Sequence, residues 1–377
     1  MKKLLILNYE YPPLGGGGGR VSHSLAKGFK QKGYEVDVIT SKFEGLPNFE
    51  TVDGIQINRV AIWGRKRKQT ATFPSMFSFL VTAFYSGLKL CGKNQYSFIN
   101  THFVLPTGPL GFLLSKLFHL KNILSIHGGD IYDPSKKSSP HNSFYLRWTV
   151  KFLLNQSDQV VAQSSNTKQN ANKYYKPKKE INIIPLSYVP FKFNPISRME
   201  LALKKDKSYL ISVGRIVSRK GFDYLIRSLE FLDDDVELLI VGDGNEKAYL
   251  YELARKLQLI DRVHFLGEIS EELKFQYLSN SDIYVLSSLH EGFGIVLQEA
   301  MQVGLPIVST NNGGQVDIVK HQVNGLLVEA CDAEALAKAI KELLTDKKLY
   351  RYISLNNVEA LKEFNTDNII SSYLELI

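Results

Sequence analysis

The stretch "HEGFGIVLQEA", residues 290–300, sets two glutamates, Glu291 and Glu299, around a Gly-Phe-Gly. Two carboxylates first suggest a general acid and a general base. At helical rise these two stand ~12 Å apart. Glycosidic carboxylate pairs stand ~5–5.5 Å apart in retaining enzymes and ~6.5–9.5 Å apart in inverting ones. The spacing fits neither. It suits two separate acceptors for hydroxyls with an anion between them. "DIYVLSS" is the strand, "LHEGFG" the loop and "IVLQEAMQV" the helix, whose free N-terminal amides favour a phosphate. A nucleotide-sugar has that layout, with ribose at one end, hexose at the other and diphosphate in the middle.

Three more stretches carry chemistry. In "SVGRIVSRKGFDYLI", Arg215 ends a strand and Lys220 sits just before a helix. Two cations and helix amides there would hold a diphosphate and stabilise it as it leaves. In "YPPLGGGGGRVSHSLAKGF", the run Gly15 to Gly19 precedes a helix and suits a backbone cradle for phosphate or sugar. It lacks the Gly-Lys-Ser/Thr of a nucleotide P-loop. It is also a poor dinucleotide fingerprint, because Ser22 takes the third glycine's place and the next strand ends "ITSK" without an acid. In "ILSIHGGDIYD", His127 and Asp130 end a strand, where they could meet a reacting sugar and an incoming hydroxyl. His102, in "INTHF", is a weaker acceptor-side candidate. Each stretch alone also has a plainer reading: a solvated basic loop, a flexible glycine loop, a structural histidine. Asp233 to Asp235 imitate a metal motif but fall before a strand, away from the ligand edge. No metal-spaced His/Cys cluster is present, so no metal is expected.

The elements that must position these residues follow from periodicity. Short apolar runs alternate with helical patterns from "KLLILNY" to "INIIP", and again from "YLISVGR" to "GLLVEA". Strands alternating with helices imply parallel sheets with right-handed crossovers. Between the two series, Pro185, Pro190 and Pro195 mark a linker. The expected architecture is α/β, two doubly wound domains, with boundaries at residues 1–187, a linker 188–206, 207–363, and a last helix 364–377 returning to the first domain. In such sheets ligands collect beyond the carboxyl ends of the strands, which is where all of these residues fall.

Composition limits the partners. The 377 residues carry a net charge of +8 and are 44% hydrophobic, as expected for a globular protein. Residues 1–190 hold a net +15 and the remainder a net −7, consistent with two domains and different partners. The charge-free run Gln69 to Leu88 contains Pro74 and Gly87 and reads as a core or interfacial helix rather than a membrane span. "GRKRK", at 64–68, adjoins the aromatic "FPSMFSFLVTAFYSG"; this pairing suits an anionic membrane surface, and no nucleic-acid module is recognisable. Cys91 and Cys331 are far apart and are expected to be buried thiols in a reducing compartment. Met1-Lys2-Lys3 runs directly into a strand-length apolar stretch, so no leader is expected.

Taken in order, "GGGG…LAKGFKQKGYEVDVIT", "HGGD", "VGRIVSRKGFDYLI", "LLIVGDG", "HFLGEIS", "EGFGIVLQEAMQVGLPIVST" and "NGLLVE" resemble the family-4 retaining glycosyltransferases of GT-B fold. The resemblance spans nearly the whole chain. It implies two Rossmann-like domains facing each other across a cleft. It also implies transfer of a hexose from a nucleotide diphosphate sugar, UDP favoured over GDP, to a saccharide or lipid-linked acceptor. Arg215 and Lys220 would bind the diphosphate and Glu299 the ribose. Glu291, with the amides of Phe293 and Gly294, would hold the sugar. Base contacts would come from backbone near Gly267 and Ile269. Gly16 and Gly17 would close over the donor, and His127 would lie beside the reacting carbon. No metal or covalent nucleophile would be needed, and the leaving diphosphate would help deprotonate the acceptor on the same face. The expected place is cytoplasmic, with peripheral contact on the inner face of the plasma membrane suggested only by the charge and the one aromatic helix, not by the resemblance. The chain departs from the family at Ser287-Ser288 (usually Pro-Ser), at Leu186-Ser187 (usually Asn-Gly) and at Asp317 (usually Glu). Two rival readings stand beside it. A GT-B epimerase or hydrolase would turn over donor alone, and a non-catalytic nucleotide-sugar or membrane-binding module would turn over nothing.

Overall fold

The computed structural model describes residues 2–14, 17–65 and 71–377. The chain divides into two compact units, Met1–Val189 with Phe364–Ile377, and Pro190–Glu363.

In the first unit the strands are β1 (Lys2–Leu7), β2 (Tyr34–Ser41), β3 (Phe49–Val52), β4 (Ile55–Val60), β5 (Phe98–His102), β6 (Lys121–Ile126), β7 (Gln159–Ala162) and β8 (Ile181–Ile183). Among the described residues they form one eight-stranded sheet in the order β3-β4-β2-β1-β5-β6-β7-β8. The central strands are buried on both faces, and Leu4 to Leu7 are fully inaccessible. A parallel sheet covered by helices on both sides demands such continuous apolar runs. The covering helices are α1 (Gly17–Gln31), α2 (Phe73–Lys93), α3 (Gly108–Phe118), α4 (Phe144–Gln156) and α5 (Ser165–Tyr175). α2 starts where its sequence says it should: Thr72 and Ser75 form a reciprocal capping box, with Pro74 in the first turn. One pairing departs from the all-parallel expectation. β3 and β4 are antiparallel, joined through Asp53 and Gly54, both at positive φ (51° and 72°). That Asp-Gly pair is a mirror-image hairpin turn with an evident signature in the sequence.

The second unit holds β9 (Ser208–Val213), β10 (Val236–Val241), β11 (Val263–Gly267), β12 (Ile283–Leu286), β13 (Ile307–Thr310) and β14 (Leu326–Val328). All neighbours are parallel, in the order β11-β10-β9-β12-β13-β14. The chain starts in the middle, winds to one edge and then to the other. The reversal between β9 and β12 is the switch point at which such sheets open for ligands. Its helices are α6 (Phe222–Ser228), α7 (Lys247–Lys256), α8 (Glu271–Asn280), α9 (Ile295–Gln302), α10 (Ala333–Thr345) and α11 (Lys347–Ala360).

The last helix, α12 (Thr366–Leu374), belongs to the first unit. It lies on α1 at Gly28, where a Cβ would come within 2.4 Å of Thr366 and 2.6 Å of Ile370. The Tyr373 and Ser125 hydroxyls are 3.0 Å apart and tie it to the sheet. At Leu186-Ser187, where the family usually has Asn-Gly, the buried Ser187 hydroxyl lies 2.8 Å from that of Ser24 on α1, a contact that Gly at this position would lack. The thiols correct the sequence reading by half: Cys91 is buried, but Cys331 is exposed.

Candidate active site

At the switch point of the second unit, the loop after β9 carries Arg215 and Lys220, and the loop after β12 carries Glu291. Gly221 brings the two loops together. Its φ is 60°, and a Cβ there would meet the Ser287 carbonyl at 2.3 Å, so only glycine fits. The Ser287 hydroxyl, standing where proline is usual, donates to the Lys220 carbonyl at 3.0 Å and fastens the same junction. Lys220 is buried, and its ammonium is in close contact with Glu291 Oε2. The Arg219 guanidinium lies 3.7 Å from the same oxygen. Burial would push the Glu291 carboxyl up, but Lys220 and Arg219 outweigh it and hold it down at about 2. For Lys220, burial wins and lowers its pKa, with Glu291 opposing. Arg215 differs: its side chain is exposed and makes no hydrogen bond or ion pair among the described residues. One cation is thus preset by a carboxylate, and the other stands ready for an anion.

Glu299 lies one turn into α9, 4% exposed. Its Oε1 is 2.8 Å from Lys274 Nζ of α8, a buried lysine that sequence reasoning missed. Lys274 also donates to Glu271 at 2.9 Å. The available signal was a lysine on the same helix face as the buried Phe275 and Leu278. The Phe293 side chain is in the core, and Gly294 caps α9 at a φ of 106°. Gly267, at a φ of 71°, ends β11, with Ile269 two residues beyond, also at the carboxyl edge.

In the first unit, His127 follows β6. Its Nε2 is 3.0 Å from Nδ1 of His102, whose Nε2 is 2.9 Å from Asn100 Oδ1. The amide of Asn100 is fixed by donating to Ile123 O and to Ser125 Oγ, both at 3.1 Å. Asn100 Oδ1 must therefore accept, which places a proton on His102 Nε2 and leaves Nδ1 to accept from His127 Nε2–H. His127 then presents Nδ1 as a lone pair, buried and without a hydrogen-bond partner among the described residues. Burial lowers the pKa of both rings, His127 to about 4, so both stay neutral near pH 7. Phe103 packs against His127 with ring centroids 4.4 Å apart and the planes tilted by 38°. Its ring leaves room only for glycine at residue 18, where a Cβ would meet it at 2.4 Å.

Two expected acceptor contacts are corrected. His102 is fully buried, with both nitrogens engaged. Asp130 is 8% exposed; its oxygens accept the His127 amide at 2.8 Å and the Val104 amide at 2.7 Å. Burial pushes its carboxyl up to about 6, against those backbone donors. Both act on His127 rather than standing open to an incoming hydroxyl. Of the glycine cradle, Gly17 is the exposed first residue of α1. Gly16 lies outside the described residues, as do Lys66, Arg67 and Lys68 of the basic run.

Comparison with known proteins gives the family and the fold. Residues 194–359 match the "Glycosyl transferases group 1" family and residues 15–187 match "Glycosyltransferase Family 4". N-acetyl-alpha-D-glucosaminyl L-malate synthase of Bacillus anthracis is 27% identical, over 96% of this chain and 93% of its own. The sucrose-phosphate synthase structure from Thermosynechococcus elongatus superposes with a TM-score of 0.87 at 24% identity, covering 100% of this chain and 98% of that one. HepE of Anabaena, solved with UDP-glucose, gives 0.76 at 20% identity, covering 100% and 99%. At those identities the two structures speak for the fold alone. With both halves matched in order and both folded as Rossmann-like units, the chain belongs to the group 1, family-4 glycosyltransferases of GT-B fold.

Proposed function

We propose that this glycosyltransferase is a retaining enzyme that takes a hexose from a UDP-sugar and delivers it to a saccharide or lipid-linked acceptor of the cell surface, working in the cytoplasm. The observation that carries the donor reading is the cation pair at the switch point, Arg215 exposed and Lys220 preset on Glu291. A diphosphate leaving a sugar gains negative charge on its outer oxygens. Lys220, held on Glu291, meets that charge without reorganisation, and the exposed Arg215 adds a second cation; losing one such preorganised group costs on the order of 3–4 kcal/mol of barrier. They supply the charge that a metal would otherwise bring, so the reaction is metal-independent. Glu299, held by Lys274, accepts from the ribose hydroxyls. Glu291 and the main chain at Phe293 and Gly294 take the hexose, and backbone near Gly267 and Ile269 borders the base. His127 accepts a substrate hydroxyl at Nδ1. Retention is assigned, from the family resemblance, to same-face attack, with the departing diphosphate taking the acceptor's proton; α9 begins only at Ile295, so the helical spacing of the two glutamates does not itself bear on the mechanism. The choice of UDP draws support from HepE, which was solved with UDP-glucose.

Calorimetric titration with UDP and GDP, each with and without EDTA, tests the donor; binding of UDP that survives EDTA is expected. An acceptor screen with that donor, read by NMR for the product anomer, tests transfer and retention. Lys220→Ala should lower turnover by about a hundredfold or more and keep the fold. Near-normal turnover in that variant, or an inverted anomer, overturns the mechanism.

A further inference from the structure

A groove of about 430 Å³ lies beside α4, between that helix and the turn before β8 that carries Lys178 and Lys179. A volume of that order suits a small organic ligand or a few units of a longer one. The floor is aromatic. The Trp148 and Phe152 rings lie nearly parallel, with centroids 5.7 Å apart and planes at 13°. Phe152 is itself held edge-on by Phe112 at 5.1 Å. Trp148 is 64% exposed, so with one indole face on Phe152 the other is open to water. A lone exposed tryptophan needs no explanation; one backed by a fixed ring on the floor of a groove with a polar rim does.

The rim is made of donors. Asn155 Oδ1 accepts the Lys178 amide at 2.7 Å, which leaves the Asn155 NH2 group to donate elsewhere. Lys179 is spent on the Ser157 carbonyl. The side chains of Lys151, Gln156 and Lys178 also line the groove and make no hydrogen bond or ion pair among the described residues. Residues 147–179 contain seven cations and one carboxylate, Asp158. Asp158 accepts the Asn122 amide at 2.8 Å, and Glu180, just beyond, pairs with Lys168 at 3.4 Å. An apolar platform, two primary amides and two uncommitted ammonium groups match a pyranose ring that bears an acid: its C–H face packs on an indole, its hydroxyls take amide hydrogen bonds and its carboxylate takes a cation. A single-stranded nucleic acid would ask instead for successive stacking platforms along its backbone, and this groove has one.

We infer that the Trp148 groove is a binding site for an acidic saccharide, with one sugar ring on Trp148, its hydroxyls on Asn155 and Gln156 and its carboxylate on Lys151 and Lys178. The site is separate from the edge that carries His127. α4 leads from β6 to β7, which are parallel, so it runs back from the carboxyl edge of the sheet over ~20 Å. Asn155 and Gln156 at its end, and Lys178 just before β8, therefore lie toward the amino edge. The groove holds a glycan away from where His127 stands, as an anchor rather than a reacting site. It goes beyond the transferase reading and does not rest on it, and its test needs no nucleotide.

Trp63 and Trp148 are the two tryptophans of the chain, so Trp63→Phe in the full-length protein leaves Trp148 as the sole indole reporter. Titration of that variant with the hexamer of galacturonic acid should change the Trp148 fluorescence, and added salt should weaken the binding. The neutral hexamer of glucose should bind on the order of tenfold more weakly, for want of the ion pairs. Calorimetry with the same acidic hexamer reads the variants of the native chain. Trp148→Ala should cost about tenfold or more, as loss of a central aromatic anchor does. Lys151→Gln and Lys178→Gln should each cost up to about fivefold, the worth of an exposed ion pair. All three side chains are exposed, so melting temperature should hold, and UDP titration should be unchanged in each. Absence of binding overturns the proposal, and so does acidic-hexamer binding that Trp148→Ala leaves intact. Equal affinity for the neutral hexamer removes the role of the lysines and overturns the acidic ligand. Tighter binding of the hexamer of uridylate than of either sugar would make the groove a nucleic-acid site and overturn it too.

Discussion

The Nδ1 of His127 is a lone pair whose availability is decided two residues away in the hydrogen-bond chain. Asn100 donates on one side and therefore accepts on the other, and this sets the proton on His102 and then on His127. Asn100→Asp reverses the logic. A carboxylate beside His102 favours the imidazolium, whose Nδ1–H would donate to His127 Nε2 and drive the His127 proton to Nδ1. The acceptor offered to substrate becomes a donor. Nitrogen-15 NMR of the rings should show the exchanged tautomer. The catalytic efficiency kcat/KM should fall about tenfold, the worth of one neutral hydrogen bond. If Asn100 were only structural, the variant would melt earlier but keep the His127 tautomer. None of this was legible in the sequence. His102 and Asp130 were recognised as chemistry-bearing residues at strand ends, but whether such a side chain meets solvent or is spent on a neighbour depends on strands far apart in the chain. Lys274 was invisible for the same reason: its pairing with Glu299 requires α8 and α9 to lie side by side.

At the level of elements, periodicity carries further. The apolar runs became the parallel strands, and the charge-free stretch became α2, capped at Thr72. The one strand pair that ran against expectation, β3 with β4, was announced by Asp53-Gly54, a local signal readable without any tertiary knowledge. Glycines are harder to read, because close packing and ligand approach both call for them. Gly18 makes room for Phe103 and Gly28 for α12, so part of what looks like a flexible cradle is packing. Gly28→Leu tests the second contact. Overpacking at a close helix crossing costs typically 1–3 kcal/mol. The cheapest relief is to release α12, the terminal element. Amide hydrogen exchange should show residues 366–374 losing protection while β1 and β5 keep theirs. Unchanged protection along α12 would mean that the hydroxyl contact of Tyr373 with Ser125 suffices to hold it.

At the scale of the whole chain, two units with separate cores and opposite charge balance were evident from composition and from the proline-rich segment, and the fold comprises two such units. A chain of this kind need not melt in one step. The residues proposed to hold the donor, Arg215, Lys220, Glu291 and Glu299, all belong to Pro190–Glu363. A ligand that binds only that native unit should raise its transition by mass action and leave the other nearly in place. At a hundredfold excess over its dissociation constant, UDP contributes about 2.7 kcal/mol. For a unit of this size, each kcal/mol moves the midpoint about 2–4 °C, so one of two calorimetric transitions should climb about 5–10 °C. EDTA should leave the shift intact if, as proposed, the charge opposite the diphosphate comes from Arg215 and Lys220. Lys220→Ala should remove most of it. The variant's own melting also needs watching, since Glu291 then loses the cation that holds it ionised. A larger shift with GDP would change the base and keep the site; a shift that EDTA abolishes would bring in a metal. If no nucleoside diphosphate moves either transition, the two glutamates do not hold the ends of a donor, and the catalytic reading of the switch point fails with them.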